Sequence, residues 1–275
     1  MAASTNLYAL ILGASSGFGR AAARALAQDG INIIGVHLDR AAGMKQVEEL
    51  QAELTGLGVE HHFYNINAAD AERRAELMQH IRTLFEGKPG ATIRLLLHSL
   101  AFGTLKPFIA DTPNDAISQK NLEMTLDVMA NSVIYYTQDV VRHGLMGPGG
   151  RIVGLTSAGA TRVLPMYGAV SAAKAAMESY MRQLALELAP LGITANSIRA
   201  GVTHTPALAK IPGSDVIMNN AFMRNPYHRL TTPEDIANVL RLLVKPEANW
   251  INGEVLGVDG GEDAIDLTWW KPGQQ

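Results

Sequence analysis

Two hydrophobic patterns alternate along the chain. Short apolar-rich runs occur at Leu7–Leu12, Ile31–Val36, Val59–Ile66, Ile93–Leu97, Arg151–Leu155, Ile193–Ser197 and Gly253–Val258. Between them lie longer stretches whose apolar positions fall three and four apart: 18–29, 41–57, 70–86, 121–143, a stretch from near Tyr167 to near Pro190, and 233–244. Short runs bounded by turn residues predict buried strands, and the longer stretches predict amphipathic helices. Gly30 stands just past the first helix, where a C-terminal cap is wanted. About seven strands alternating with helices predict an α/β fold, a Rossmann-like doubly wound parallel sheet with helices on both faces. No repeat, low-complexity tract or linker interrupts the pattern, so residues 1–275 are expected to form a single domain. The least regular stretch, 203–230, is rich in Pro, Asn and Met and is expected to act as a substrate lid.

Composition narrows the function classes. Hydrophobic residues make up 47% and charged residues 18%, as in a compact globular protein. The net charge of −3 offers no basic surplus for nucleic acid. Without cysteine there are no disulfides or thiolate nucleophiles, and this suits a cytoplasmic setting. The N-terminal apolar stretch has no basic region before it and runs into glycines, so it reads as a strand rather than a signal peptide. No segment approaches the roughly 20 apolar residues of a membrane span. His61 and His62 are adjacent on a strand and point to opposite faces, and no His-Glu-x-x-His motif occurs, so no metal is expected.

The first strand runs into Gly13-Ala14-Ser15-Ser16-Gly17-Phe18-Gly19. Gly13 permits a tight turn, and Gly17 and Gly19 let backbone and pyrophosphate approach at the positive end of the next helix. The same spacing resembles the short-chain dehydrogenase/reductases. Three further motifs follow in that family's order: His98-Ser99-Leu100-Ala101, Ala200-Gly201-Val202-Thr203-His204-Thr205 and Val258-Asp259-Gly260-Gly261. The resemblance covers about residues 7–261. It implies that Ser15, Ser16 and Phe18 contact the cofactor along with the glycines. It also implies that Asn65 and Ile66 flank the adenine, that Ser99 and Leu100 line the adenosine side, and that Val202 and Thr205 hold the nicotinamide carboxamide. His98 is open to either a core or a cofactor-side reading. A carboxylate ending the second strand would hold a ribose 2′-hydroxyl, and an arginine would accept a 2′-phosphate. His37 fills the usual position of that acid, with Asp39 and Arg40 just beyond. Arg40 tips the expectation to NADPH, and NADH stays open.

The short-chain family usually places its tyrosine four residues before its lysine. Here that position is Val170, and Tyr167 stands seven residues before Lys174. Offsets of four and seven residues depart from whole helical turns by about +40° and −20°, so both keep a common face. The Tyr-x6-Lys spacing, with His98-Ser99-Leu100-Ala101-Phe102, resembles the bacterial enoyl-acyl-carrier-protein reductases of the same superfamily. Ser157 stands where the best-known branch has a second tyrosine. It matches a branch that keeps the serine and uses NADPH, and also ordinary carbonyl-reducing members. The asparagine of those carbonyl-reducing members aligns with Met129, with Asn131 two residues on.

The resemblance implies reduction of the C2–C3 double bond of an enoyl thioester, carried on acyl carrier protein or coenzyme A, by Tyr167, Lys174 and Ser157. In that scheme Tyr167 meets the enolate oxygen, and the charge of Lys174 favours tyrosine ionisation. A carbonyl reductase or alcohol dehydrogenase, and a non-catalytic dinucleotide sensor, are the alternatives. Met166, Met218, Phe222 and Met223 are candidates for an acyl pocket. A homotetramer built on the helices around 121–143 and 167–189 is implied. Leu267, Trp269 and Trp270 are expected to pack on a neighbouring subunit or on the chain's own surface.

Overall fold

Strands that read as continuous apolar runs need cover on both faces, and the inner strands of the sheet have it, while the two edge strands are only partly buried. The computed structural model describes residues 6–211 and 213–265. Its strands are β1 (Leu7–Leu12), β2 (Asn32–His37), β3 (His61–Asn65), β4 (Thr92–His98), β5 (Arg151–Ser157), β6 (Thr194–Ala200) and β7 (Val255–Val258). They form one parallel sheet in the order β3-β2-β1-β4-β5-β6-β7. The helices are α1 (Gly17–Gln28), α2 (Ala41–Gly56), α3 (Ala71–Phe85), α4 (Gln119–Leu126), α5 (Ser132–Arg142), α6 (Gly168–Leu188), α7 (Ser214–Arg224) and α8 (Pro233–Leu243). This is the Rossmann-like doubly wound sheet that the alternation predicts.

Successive strand residues serve opposite faces. Leu10 and Leu12 of β1 pack with Leu77 of α3, Val133 of α5 and Met177 of α6. Ala9 and Ile11 pack on the other side with Leu26 of α1, Leu50 of α2 and Leu240 of α8. Small residues let α1 and α8 meet closely, through Ala21, Ala25 and Ala237. An Asp29–Arg241 ion pair joins the same two helices. Gly30 lies at φ 80°, one residue past the Asp29 cap, as its position predicts. The strand order reverses at β1, which has β2 on one side and β4 on the other. Ligands in such sheets bind in the crevice beyond the strand C-termini at this switch point.

Two expectations need correction. The single helix expected over 121–143 is interrupted by one π-helical turn, Asp127–Asn131, between α4 and α5. Such a turn inserts one residue into the hydrogen-bond ladder. It is braced from β4: His98 Nε2 lies 2.8 Å from Ser132 Oγ, and that hydroxyl donates to the Val128 carbonyl at 2.8 Å. The stretch 203–230, read as irregular, contains α7. That helix fully buries only Ala221, so it carries almost no apolar period to read. Leu267, Trp269 and Trp270 lie outside the described residues. Among the described residues no helix is long and apolar enough to cross a membrane.

Candidate active site

Beyond the C-terminal ends of β4, β5 and β6 lies a cleft of about 320 Å³. The glycine-rich turn at the end of β1 borders it through Phe18. Gly13 sits at φ 91°, and a Cβ there would lie 2.5 Å from the Ser99 carbonyl oxygen. A Cβ on Gly19 would lie 2.0 Å from the Gly13 carbonyl oxygen. Both contacts are with backbone, which cannot move aside cheaply. Ser16 caps α1 without spending its side chain, and no acidic residue occupies the first turn. The helix therefore keeps a positive end free of internal anions, the arrangement that suits a pyrophosphate. Gly19→Ala is expected to destabilise the fold by about 1–3 kcal/mol through overpacking. A urea midpoint unchanged from wild type would refute the close approach.

Tyr167 is placed by a tight turn. Its amide donates to the Leu164 carbonyl at 3.2 Å, and Met166 adopts φ 60°, a left-handed conformation rare outside glycine. Residues in such conformations cluster where the chain must aim a side chain. Ser157 ends β5, and its hydroxyl accepts from the Gly159 amide at 3.2 Å. The same hydroxyl lies beside the Tyr167 ring, both next to Gly159. Burial is the larger influence on that phenol and raises its pKa, and the neighbouring Ser157 hydroxyl opposes the rise. The expectation that Lys174 would favour ionisation of Tyr167 is therefore corrected: the phenol is held protonated.

Lys174 is buried in α6 and donates to the Leu155 carbonyl at 2.7 Å. Burial lowers its amine to about 8, opposed by the Glu178 carboxylate. Val170 lines the cleft between Tyr167 and Lys174 on the same helix face. A Cβ on Gly103 would lie 2.6 Å from Val170 Cγ2 and 3.0 Å from Met129 Sδ, so these two apolar side chains close the floor together. Asn131 faces elsewhere and accepts from the Tyr180 hydroxyl at 2.9 Å.

The cleft brings together Tyr167, Lys174, Ser157, Phe18, Ser99, Leu100, Val202 and Thr205 from the expected set. Gly13, Ser15, Ser16, Gly17 and Gly19 form the turn at the end of β1. Arg40, Asn65 and Ile66 do not line the cleft; they stand at the ends of β2 and β3. Asn65 is committed to the protein, accepting from the Asp39 amide at 3.0 Å and donating to the Asp39 carbonyl at 2.9 Å. The Val202 amide and the Thr205 hydroxyl also have internal partners, Glu262 at 3.1 Å and the Leu208 amide at 3.2 Å. His98 is fully buried, and burial, then the nearby Lys174 charge, lowers it to about 3. It is a neutral core residue that braces the π-turn.

Met166, Met218, Phe222 and Met223 do not line the cleft. Its apolar wall comes from Phe102, Leu105, Leu164, Leu208, Ile211 and Ile217. Two lining carboxylates went unread. Glu262 is 2% exposed and pairs with Arg224 of α7, and burial raises its pKa against the Val202 amide and that arginine. Asp263 pairs with Arg162 at 3.1 Å and Arg199 at 3.3 Å. Their only sequence signal is a place directly after Asp259-Gly260-Gly261. Among the described residues no three His, Asp or Glu side chains gather as a metal site.

Comparison with known proteins places these features. A family model described as enoyl-(acyl carrier protein) reductase matches residues 13–262. The uncharacterized oxidoreductase YjdA of Bacillus subtilis is 30% identical over 95% of this chain and 98% of its own. The enoyl-acyl-carrier-protein reductase (NADH) FabI of Aquifex aeolicus is 32% identical over 62% of each chain. An NADPH-dependent aldehyde reductase-like chloroplast protein of Arabidopsis thaliana is 28% identical over 92% of this chain and 93% of its own. The solved Aquifex aeolicus enoyl reductase superposes with TM-score 0.78 at 26% identity, covering 95% of this chain and 98% of that one. A short-chain dehydrogenase of Burkholderia cenocepacia in complex with NADP gives 0.76 at 28%, covering 95% and 99%.

Proposed function

We propose, from the premise that this chain belongs to the enoyl-(acyl carrier protein) reductase family of short-chain dehydrogenase/reductase oxidoreductases, that it reduces the C2–C3 double bond of enoyl thioesters with NADPH. The observation that carries the reading is the floor of the cleft. Val170 fills the position of the usual tyrosine, packed with Met129, while Tyr167 reaches the same cleft from one turn earlier. An apolar floor suits a hydrocarbon double bond. A proton relay for carbonyl reduction would want polar groups there.

The residues fit a nicotinamide dinucleotide. The crowded glycine turn and the positive end of α1, which has no acidic residue in its first turn, would hold the pyrophosphate, and Lys174 the nicotinamide ribose. When bound, a reduced nicotinamide would supply the hydride equivalent for C3 and be oxidised, and a proton from solvent at C2 would complete the reduction. Negative charge then develops on the thioester oxygen, where the protonated Tyr167 hydroxyl donates a hydrogen bond. Ser157, whose hydroxyl neighbours that ring, would help to orient the phenol. The wall of Leu105, Leu164 and Ile217 excludes water from the acyl chain. The stretch 203–230, which contains α7, acts as the lid, tied to the cleft by Arg224–Glu262. The carrier is acyl carrier protein or coenzyme A, and the assembly a homotetramer.

One molecule carrying both reducible groups tests the reading. With trans-2-octenal and NADPH, mass spectrometry is expected to find octanal. Octenol as the main product would assign the chain to carbonyl reduction. On the cofactor side, Arg40→Ala is expected to weaken NADPH more than NADH, since a guanidinium pairs bidentately with a 2′-phosphate. Equal losses in the two dissociation constants would remove Arg40 from that role.

A further inference from the structure

The end of β2 is where this fold reads the 2′ substituent of an adenosine ribose. Two opposite charges stand there, Asp39 and Arg40, and the structure does not treat them alike. The Asp39 carboxylate is turned back into the protein. Its Oδ2 lies 2.9 Å from Nδ1 of His37. Its Oδ1 faces the start of α2, where a Cβ on Gly43 would lie 2.6 Å away. A carboxylate can only accept, so Nδ1 of His37 carries the proton of this bond.

Three elements hold the arrangement. The His37 side chain, on β2, is 2% exposed and rests near the Phe63 ring of β3, centroids 6.2 Å apart. It cannot swing out to follow a carboxylate that leaves. Asn65, at the end of β3, grips both the amide and the carbonyl of Asp39. The start of α2 closes the third side. Arg40 is exposed, and among the described residues no carboxylate pairs with it.

We infer that His37 is a cofactor-selectivity residue: by latching the Asp39 carboxylate inward, it leaves Arg40 to read the ribose 2′ position and so favours a 2′-phosphate. The inference rests on the dinucleotide reading above and adds the residue that decides between its two forms. His37 touches no cofactor in this account; it is a positioning residue acting through Asp39. A released carboxylate would do two things at once. It would accept a hydrogen bond from a 2′-hydroxyl, and it would repel a 2′-phosphate.

The test uses equilibrium binding to the full chain, read by cofactor fluorescence for NADPH and NADH. Calorimetry with adenosine 2′,5′-bisphosphate against adenosine 5′-monophosphate reads the adenosine half alone. His37→Leu fills the cavity without a donor. The ratio Kd(NADPH)/Kd(NADH) is expected to rise at least about tenfold, the scale of one charge-assisted hydrogen bond. His37→Asn keeps an N–H donor near the Nδ1 position and is expected to preserve the wild-type ratio. In an Asp39→Ala background, His37→Leu is expected to leave the ratio unchanged, because its target is gone. A ratio unmoved by His37→Leu in a variant that melts cooperatively would overturn the latch. So would a shift of equal size in the Asp39→Ala background, which would mean a merely structural role. Wild-type protein that binds neither cofactor would instead overturn the dinucleotide reading beneath it.

Discussion

Tyr167→Phe is expected to lower turnover on an enoyl thioester by roughly 10²–10³, the loss typical of one oxyanion donor. The substitution keeps the ring and its packing and removes only the hydroxyl. Burial raises the phenol's pKa, so it stays a donor through the neutral range rather than an ionised base. Its hydrogen bond to the substrate oxygen strengthens only as charge develops, so the effect falls on turnover and spares the ground state. Cofactor affinity is expected to stay within about twofold, since a donor used only in the transition state contributes little to binding. Steady-state rates beside cofactor titration separate the two. If Tyr167→Phe reduces as fast as wild type, Ser157 becomes the leading donor.

Lys174 predicts a trade between function and stability. The amine is fully buried, and its fall from 10.5 to about 8 marks a cost of roughly 3 kcal/mol for keeping it charged at neutral pH. Lys174→Met removes that charge at similar length. It leaves the Leu155 carbonyl without its donor, a loss of about 1 kcal/mol. The variant is therefore expected to be more stable than wild type at pH 7, while NADPH affinity falls about 10–100-fold and turnover falls with it, since a charged hydrogen bond contributes about 1.5–3 kcal/mol. The pH dependence has a definite sign. Between about 8 and 10.5 the unfolded chain binds the proton and the folded chain does not, so wild-type stability from this group rises with pH across that window. The variant's advantage should be full below pH 8 and shrink toward pH 10. Urea titrations at pH 7 and pH 10 check this. A variant less stable than wild type at pH 7, or an advantage that grows with pH, would contradict the burial argument.

The inner strands were legible because each is an apolar run between turn residues, whereas their order through the sheet comes from the structure. The Tyr167–Lys174 spacing was legible against the tyrosine–lysine pattern of the short-chain family, and helical geometry permits it because offsets of four and seven keep a common face. The π-turn was not. It adds one residue to a helix whose apolar period continues on either side, and its brace from His98 to Ser132 spans 34 positions. Helix α7 was missed because it buries almost nothing, and burial is what writes a period into sequence. The Asp39 latch depends on Asn65, 26 residues away on another strand. Asp39 and Arg40 read alone point in opposite directions, and only the pairing with His37 separates them. The cleft's apolar wall was expected from Met166, Met218, Phe222 and Met223, whereas the fold supplies Phe102, Leu105, Leu164, Leu208 and Ile211 from the segments after β4, β5 and β6, and Ile217 from α7.

The central claim is that the cleft acts on a carbon–carbon double bond. The measurement closest to it compares kcat/KM for a 2-enoyl and a 3-oxoacyl thioester of equal chain length on the same carrier, with NADPH in both. The apolar floor of Val170 and Met129 predicts that the enoyl thioester is the better substrate by at least about tenfold, or about 1.4 kcal/mol in the transition state. A higher kcat/KM for the 3-oxoacyl thioester would contradict the account.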